Sequence, residues 1–237
     1  MVLNSKQKLI RFYGRRKGRK LSDANLLALE LGKKFILQKS DFSEKSKSLS
    51  EKLLGIKFKK IVLEIGFGNG ENLINSAKKN PETFFLGADP FLNSNAKCIR
   101  EILNNKLMNI KIWPDDIRQI INLFPSNSIS EVILLFPDPW PKFKHKNRRI
   151  VKNEFINILF RILIPKGKVT LGTDHSIMKS WILEIFQNNL GFIWKAEVAN
   201  DWRVRPIDCF QTKYEKKSLI EKRSPNWFVF QKNNVDT

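Results

Sequence analysis

The sequence predicts a doubly wound α/β fold of about seven mostly parallel strands with helices on both faces, and three observations carry that prediction. Ile61-Val62-Leu63 is a short apolar, β-branched run without alternating polarity, as in a strand buried on both faces of a parallel sheet. It leads through Glu64 into Gly66, Gly68 and Gly70 at alternate positions, and then into ENLINSAKK, which reads as a helix. From Lys60 onward, strand and helix patterns alternate regularly. A strand, a glycine loop and a helix form the ligand cradle of a Rossmann-like sheet, where ligands sit outside the strand ends.

The glycine loop has a distinctive form. The dinucleotide fingerprint G-x-G-x-x-G needs glycine at position 71, which is Glu71 here. An acid two residues before the first glycine suits a ligand with an ammonium group better than a pyrophosphate. The E-x-G-x-G-x-G form resembles the first motif of S-adenosylmethionine-dependent methyltransferases. A steric reading also stands, because glycine-rich turns join strands to helices without any ligand.

Composition narrows the class. The 237 residues suffice for one well-buried domain plus an appendage. No run of about 18 apolar residues is present, so no membrane span is expected. Cys98 and Cys209 lie far apart, and with only His145 and His175 beside them neither a zinc site nor a disulfide scaffold is expected. No apolar h-region follows the basic amino terminus, so no secretory signal is expected and the cytoplasm is the default.

The formal charge is +20, from 43 basic and 23 acidic side chains, and points to a polyanionic partner such as nucleic acid. A chain rich in Lys, Asn, Ile and Phe can also acquire lysines by compositional drift. The arginines are less subject to drift, and they cluster: Arg11, Arg15, Arg16 and Arg19 in one acid-free run, Arg148-Arg149 in another. Residues 1–20 hold eight basic side chains, no acid and interleaved Phe12 and Tyr13, the pattern of a disordered arm that orders on RNA. Ser22 opens a short helix through Leu31, and residues 39–51 read as a polar linker.

Thr83–Ala88 is the second strand, and Asp89 lies 19 residues after Gly70, near the interval at which nucleotide-binding α/β folds place a carboxylate on a ribose. An Asp-Pro turn is the plainer reading. A helix over Asn95–Lys106 and a third strand over Ile110–Trp113 follow. Asp116 can meet an adenine amino group or cap a helix over IRQIINLF, and both can hold for different atoms.

The fourth strand, Glu131–Phe136, leads into FPDPWPKFKHKNRR. Prolines at 137, 139 and 141 fix φ and remove three backbone donors, so the segment must leave the sheet as a stiff loop. Asp138 is held between prolines, Trp140 offers a face on which a base can stack, and Lys142, Lys144, Lys146, Arg148 and Arg149 follow without an acid. A helical stripe covers Arg149–Leu163, a fifth strand Lys168–Gly172, and Thr173-Asp174-His175 ends it on the rim shared by Glu64, Asp89 and Asp138. A helix over Ser176–Asn188 and strands at Phe192–Lys195 and Trp227–Gln231 complete the sheet. The polar stretch between those strands is too long for a hairpin turn, and residues 211–217 are placed to close over a substrate.

With LEIGFGNG, FPDPWPKFKHKNRR, GTD and TKYE in view, the chain resembles the bacterial tRNA (guanine-N7-)-methyltransferases from about residue 60 to the end, and the PDPW segment is the most specific part of the likeness. The resemblance implies residues 1–50 as a basic arm with short helix and linker, and 51–237 as a class I methyltransferase domain. It implies methylation of a tRNA variable-loop guanine, usually position 46, with S-adenosylmethionine as cofactor. By motif, Glu64, Gly66, Gly68, Gly70, Asp89, Asp116 and Asp138 match cofactor positions, and Asp138 also the residue proposed as catalytic. Lys142, Asp174, Thr212, Lys213, Tyr214 and Glu215 match substrate positions. The arm's Arg15 and Arg16 and the loop's Lys144, His145, Lys146, Arg148 and Arg149 are candidate RNA contacts. Position 89 is often Glu in the family and Tyr214 often Phe, and Phe143 and Asn147 interrupt a loop that is usually more continuously basic. The implied partner is tRNA, with no membrane, no metal, and a monomer or homodimer. A nicotinamide-dependent dehydrogenase would share the core but lacks its third glycine here. A non-catalytic RNA-binding protein would not need acids at successive strand ends.

Overall fold

The computed structural model describes residues 11–42, 53 and 58–233. Its sheet has seven strands: β1 Lys60–Ile65, β2 Thr83–Ala88, β3 Ile110–Trp113, β4 Ile129–Leu135, β5 Leu163–Thr173, β6 Phe192–Trp194 and β7 Asn226–Lys232. Their order is β3-β2-β1-β4-β5-β7-β6. β1 pairs in parallel with both β2 and β4, β2 with β3 and β4 with β5, while β7 runs antiparallel to β5 and β6. The order reverses between β1 and β4, and a crevice opens at the carboxyl ends of such a pair. The glycine loop leaves β1 and the proline loop leaves β4, so the two most distinctive segments of the sequence meet at this crevice.

Helices α1 Asp23–Leu31, α2 Glu71–Lys79, α3 Leu92–Asn104, α4 Asn153–Ile162, α5 Ser176–Gln187, α6 Asn200–Arg203 and α7 Lys213–Ile220 complete the described chain. The apolar faces of α2 and α3 (Leu73, Ile74, Ile99, Ile102) pack on one side of the sheet, and those of α4 and α5 (Phe155, Leu159, Ile182, Phe186) on the other. Phe186 and Phe230 stack with centroids 3.9 Å apart in the second layer.

Several elements differ from the sequence expectation for identifiable reasons. The expected helix over 95–106 begins at Leu92, because the Asp89 carboxylate accepts the Phe91 N–H and starts the turn early. IRQIINLF forms two 3-10 turns rather than a helix, with Ile117, Ile120, Ile121 and Phe124 all in the core. The helix expected from Arg149 starts at Asn153, since Arg149 reaches back to the proline loop and the Val151 carbonyl accepts from Trp181 Nε1. The expected loop before β7 carries α6 and α7.

The amino-terminal region also differs. Residues 11–20 are docked rather than loose: the Arg16 carbonyl accepts from Leu92 N at 2.9 Å, and Gly18 N donates to Asn93 Oδ1 at 2.8 Å. Phe35, Leu37 and Phe42 are buried, and Leu37 N donates to the Ile112 carbonyl, so the start of the expected polar linker is part of the core. The rest of that linker, 43–51, and residues 1–10 lie outside the described residues.

Candidate active site

A cavity of about 580 Å³ sits at the crevice. Gly66, Gly68, Asp89, Asp116, Asp138, Trp140 and Tyr214 line it, as do Phe12, Tyr13 and Arg15 from the arm. That volume is in the range of sites that enclose a nucleoside-sized ligand.

The glycine loop builds the floor. Gly66, Gly68 and Gly70 have φ of +73°, +57° and +86°, a region that side chains strongly disfavour. A Cβ on Gly70 would lie 3.0 Å from Cys98 Sγ, and one on Gly68 would lie 3.4 Å from the Tyr214 ring. Asp89 is buried, and its two oxygens accept the Gly68 and Phe91 N–H groups, each at 2.8 Å. Burial nevertheless raises its pKa above the ordinary value. Asp116 is both cap and ion-pair partner. It accepts Arg118 N at 3.0 Å, and the Arg118 guanidinium holds its carboxylate at 2.5 Å. Arg118, absent from the sequence-based candidates, also lines the cavity; its place two residues after Asp116 was the available signal.

Glu64 does not reach the cavity wall. Alternation along β1 turns it under the loop, where it accepts Asn72 Nδ2 at 2.8 Å, while Asn72 Oδ1 accepts Phe210 N at 2.7 Å. With 3% exposure and, among the described residues, no cation acting on it, burial pushes its pKa up to about 8.

The proline loop builds the opposite wall by a different device. Phe136 and Trp140, neither of them glycine, have φ of +51° and +41° and bracket Pro137-Asp138-Pro139. Each such residue costs on the order of 1–3 kcal/mol, and that strain persists only where the surroundings enforce it. Phe136 N donates to the Gly172 carbonyl at 2.7 Å, fixing the start of the loop. At its end, Arg149 donates from Nε to the Pro139 carbonyl at 3.0 Å and from Nη2 to the Trp140 carbonyl at 3.1 Å. Arg149 is 5% exposed, with its guanidinium 4.6 Å from the Trp181 ring centroid. This position corrects the expected RNA contact: Arg149 is a strut inside the protein. Asp138 itself is exposed and accepts no hydrogen bond among the described residues, and partial burial raises its pKa.

The loop's aromatics continue outward. Arg148 lies 4.8 Å from the Tyr13 ring and 4.9 Å from the Trp140 ring, and Trp140 meets Tyr13 and His145 edge-on. Lys142 and Lys144 are exposed beside this stack, and His145 and Lys146 are half-buried. Arg16 is engaged elsewhere, 2.5 Å from Asp115. Arg15 remains at the cavity.

TKYE is a helix start. Thr212 Oγ1 accepts Glu215 N at 3.2 Å and the Glu215 carboxylate accepts the Thr212 N–H, a reciprocal capping box. Arg205 pairs with Glu215 at 3.3 Å. The two capping residues are buried, which turns the residues between them outward: Tyr214 lies over Gly68, and Lys213 approaches the acids, with Glu71 and Asp89 both acting on its charge. Asp174 follows β5 and pairs with Arg223 Nε at 2.8 Å.

Among the described residues no cluster of three or more His, Cys, Asp or Glu side chains is arranged to hold a metal, and no helix is long and apolar enough to cross a membrane.

A sequence family described as putative methyltransferase matches residues 58–227, from just before β1 into β7. Among solved structures, the 16S rRNA methyltransferase KamB superposes with a TM-score of 0.56 at 14% identity, covering 81% of this chain and 95% of that one. An antibiotic-related methyltransferase gives 0.53 at 15%, covering 84% and 100%. At such identities the likeness establishes the fold alone, a class I methyltransferase sheet. Sequence relatives are nearer: the tRNA (guanine-N(7)-)-methyltransferase of Agrobacterium fabrum is 37% identical across 92% of this chain and 94% of its own length. That of Rhizobium meliloti is 36% identical across 93% and 94%. With end-to-end similarity of this degree added to a crevice where the glycine and PDPW loops meet, the chain belongs to the tRNA (guanine-N(7)-)-methyltransferase family.

Proposed function

We propose that this protein transfers a methyl group from S-adenosylmethionine to N7 of a guanine in tRNA, with position 46 of the variable loop as the target. One observation carries the reading: Gly66 and Gly68 of the glycine loop, Asp89, Asp116 and Asp138 line a single cavity at the sheet's switch point.

The cavity fits such a cofactor. Its glycines leave room that a Cβ would fill, and Asp89, Asp116 and Asp138 present acids suited to a cationic ligand. Asp89 holds the ribose, since each oxygen has accepting capacity beyond its single backbone bond. Asp116 and its neighbours hold the adenine edge. When bound, the cofactor supplies a methyl group made electrophilic by a sulfonium centre.

The protein's own task is alignment. Guanine N7 is a lone-pair acceptor in the neutral base, so no proton has to be removed before attack. The strained loop fixes Asp138 at the crevice, and Trp140 supplies a flat face beside it, so that little ordering entropy is lost as the base enters. Methylated guanine is cationic, and an unpaired carboxylate held close by stabilises that charge as it develops. Lys142, Lys144, His145, Lys146, Arg148 and Arg15 form the basic rim that receives phosphates.

Incubation with labelled S-adenosylmethionine and bulk tRNA, followed by nucleoside analysis, tests this. Label in 7-methylguanosine is the expected product. Label in another nucleoside, or none in tRNA, would overturn the reading.

A further inference from the structure

We propose that Arg223 is a positioning residue for the target guanine, acting through Asp174. The inference rests on the methyl-transfer reading above: Asp174 matches a substrate position by motif and leaves β5 beside the loop that carries Asp138, and it is taken here as part of the guanine site.

Asp174 leaves β5 beside the start of the proline loop, because Phe136 N bonds the carbonyl of Gly172 two residues earlier. Its Oδ2 accepts Arg223 Nε at 2.8 Å, and its Oδ1 accepts no hydrogen bond among the described residues. Fixing one oxygen orients the carboxylate plane and leaves the other free to accept from a base edge that donates N1–H or N2–H. Guanine presents both donors on one edge.

The backbone that delivers Arg223 is itself held. Helix α7 ends with Arg223 N donating to the Ser218 carbonyl at 2.9 Å and Lys222 N to that of Leu219 at 3.0 Å, around Lys222 at φ +56°. This is the Schellman geometry, in which glycine is the usual left-handed residue. A lysine there is strained, and it aims Arg223 back across the rim to Asp174. A second guanidinium nitrogen, Nη1, is taken by Glu221, so the fork is held on both sides. Tyr214 over the glycine loop and Arg223 on Asp174 therefore lie at opposite ends of one two-turn helix.

The pair is poorly explained as a stabilising contact. The Arg223 side chain is 44% exposed and that of Asp174 17%, and an ion pair with its cation largely in solvent contributes only modestly to folding. Its geometric effect on Asp174 is what remains.

The test is single-turnover methylation of tRNA at saturating cofactor, across tRNA concentrations, for wild type, Arg223→Gln, Arg223→Lys, Asp174→Asn and the Arg223→Gln/Asp174→Asn double variant. Arg223→Gln is expected to lower the rate at saturating tRNA about ten-fold or more, the scale of a misplaced substrate contact, with tRNA affinity and melting temperature near wild type. Arg223→Lys should recover part of the rate, and Arg223→Gln should have no further effect once Asp174 is Asn. A wild-type rate in Arg223→Gln, or an equal loss with and without Asp174, overturns the proposal. Should the Gln variant melt early, a well-folded Arg223→Lys without any change in rate overturns it equally. Failure of wild type to form 7-methylguanosine would instead sink the parent reading.

Discussion

The two walls of the cavity hold their acids in opposite ways. On the glycine-loop side, Asp89 and Asp116 are buried and already bonded, by two backbone N–H groups and by Arg118 respectively. On the proline-loop side, Asp138 accepts no hydrogen bond among the described residues, and its position comes from two strained residues and the Arg149 strut. The first wall is a finished binding surface in which a ligand adds bonds to satisfied groups. The second keeps one carboxylate without a partner until the base arrives. Rigid backbone thus substitutes for the hydrogen bonds that would otherwise neutralise the acid during placement.

The sharpest way to break this contrast is to remove the unpartnered acid. Asp138→Ala should reduce single-turnover methylation by about 10²–10³-fold, the range for loss of a preorganised electrostatic group, while tRNA affinity changes little. Asp138→Asn should stay nearly as slow, because an amide can accept one base hydrogen bond but cannot offset the new charge.

Loosening the loop without touching the acid comes next. Arg149→Gln leaves the Pro139 and Trp140 carbonyls unpaired and should cost about 1–3 kcal/mol in urea unfolding. The same variant should slow methylation by about 10²-fold through misplacement of Asp138. Loss of stability with an unchanged rate would show that the strut supports the fold but not the site.

On the other wall, effects should fall on cofactor binding instead of rate. Asp89→Ala should weaken S-adenosylmethionine binding by about 10–100-fold in calorimetry, the worth of charge-assisted hydrogen bonds. A methylation rate at saturating cofactor that fell as far as in Asp138→Ala would erase the distinction between the walls.

Glu64 gives the smallest and most pH-specific effect. Its folded pKa of about 8 lies above the ordinary 4.5, so the folded chain keeps a proton that the unfolded chain releases. This group favours folding fully below the unfolded value, and that contribution is lost as pH rises through the folded one. Glu64→Gln should therefore flatten the fall in melting temperature between about pH 5 and 8.

The sheet was legible because buried parallel strands leave uninterrupted β-branched runs, and β2 and β3 match their expected limits residue for residue. The glycine loop and the caged Asp138 were legible for a related reason: glycine and proline act on the backbone locally. What escaped depends on distant partners. Nothing in Arg148-Arg149 distinguishes a half-buried cation between Tyr13 and Trp140 from a buried strut. The arm's charge suggested a loose segment, yet Asn93 and Leu92 on α3 dock it beside the cavity. Thr212 and Glu215 read as substrate contacts by motif, and their capping box became visible only once α7 was in place.

The central claim is that Asp138 works by placement and charge, with no proton in flight as N7 attacks. The direct measurement is the single-turnover methylation rate in H2O and in D2O, at equivalent pH on the plateau above Asp138 ionisation and with enzyme and cofactor saturating. The account predicts the same rate in both solvents. A rate at least about twofold slower in D2O, the sign of proton transfer in the transition state, that disappears in Asp138→Asn would contradict it and make Asp138 a general base.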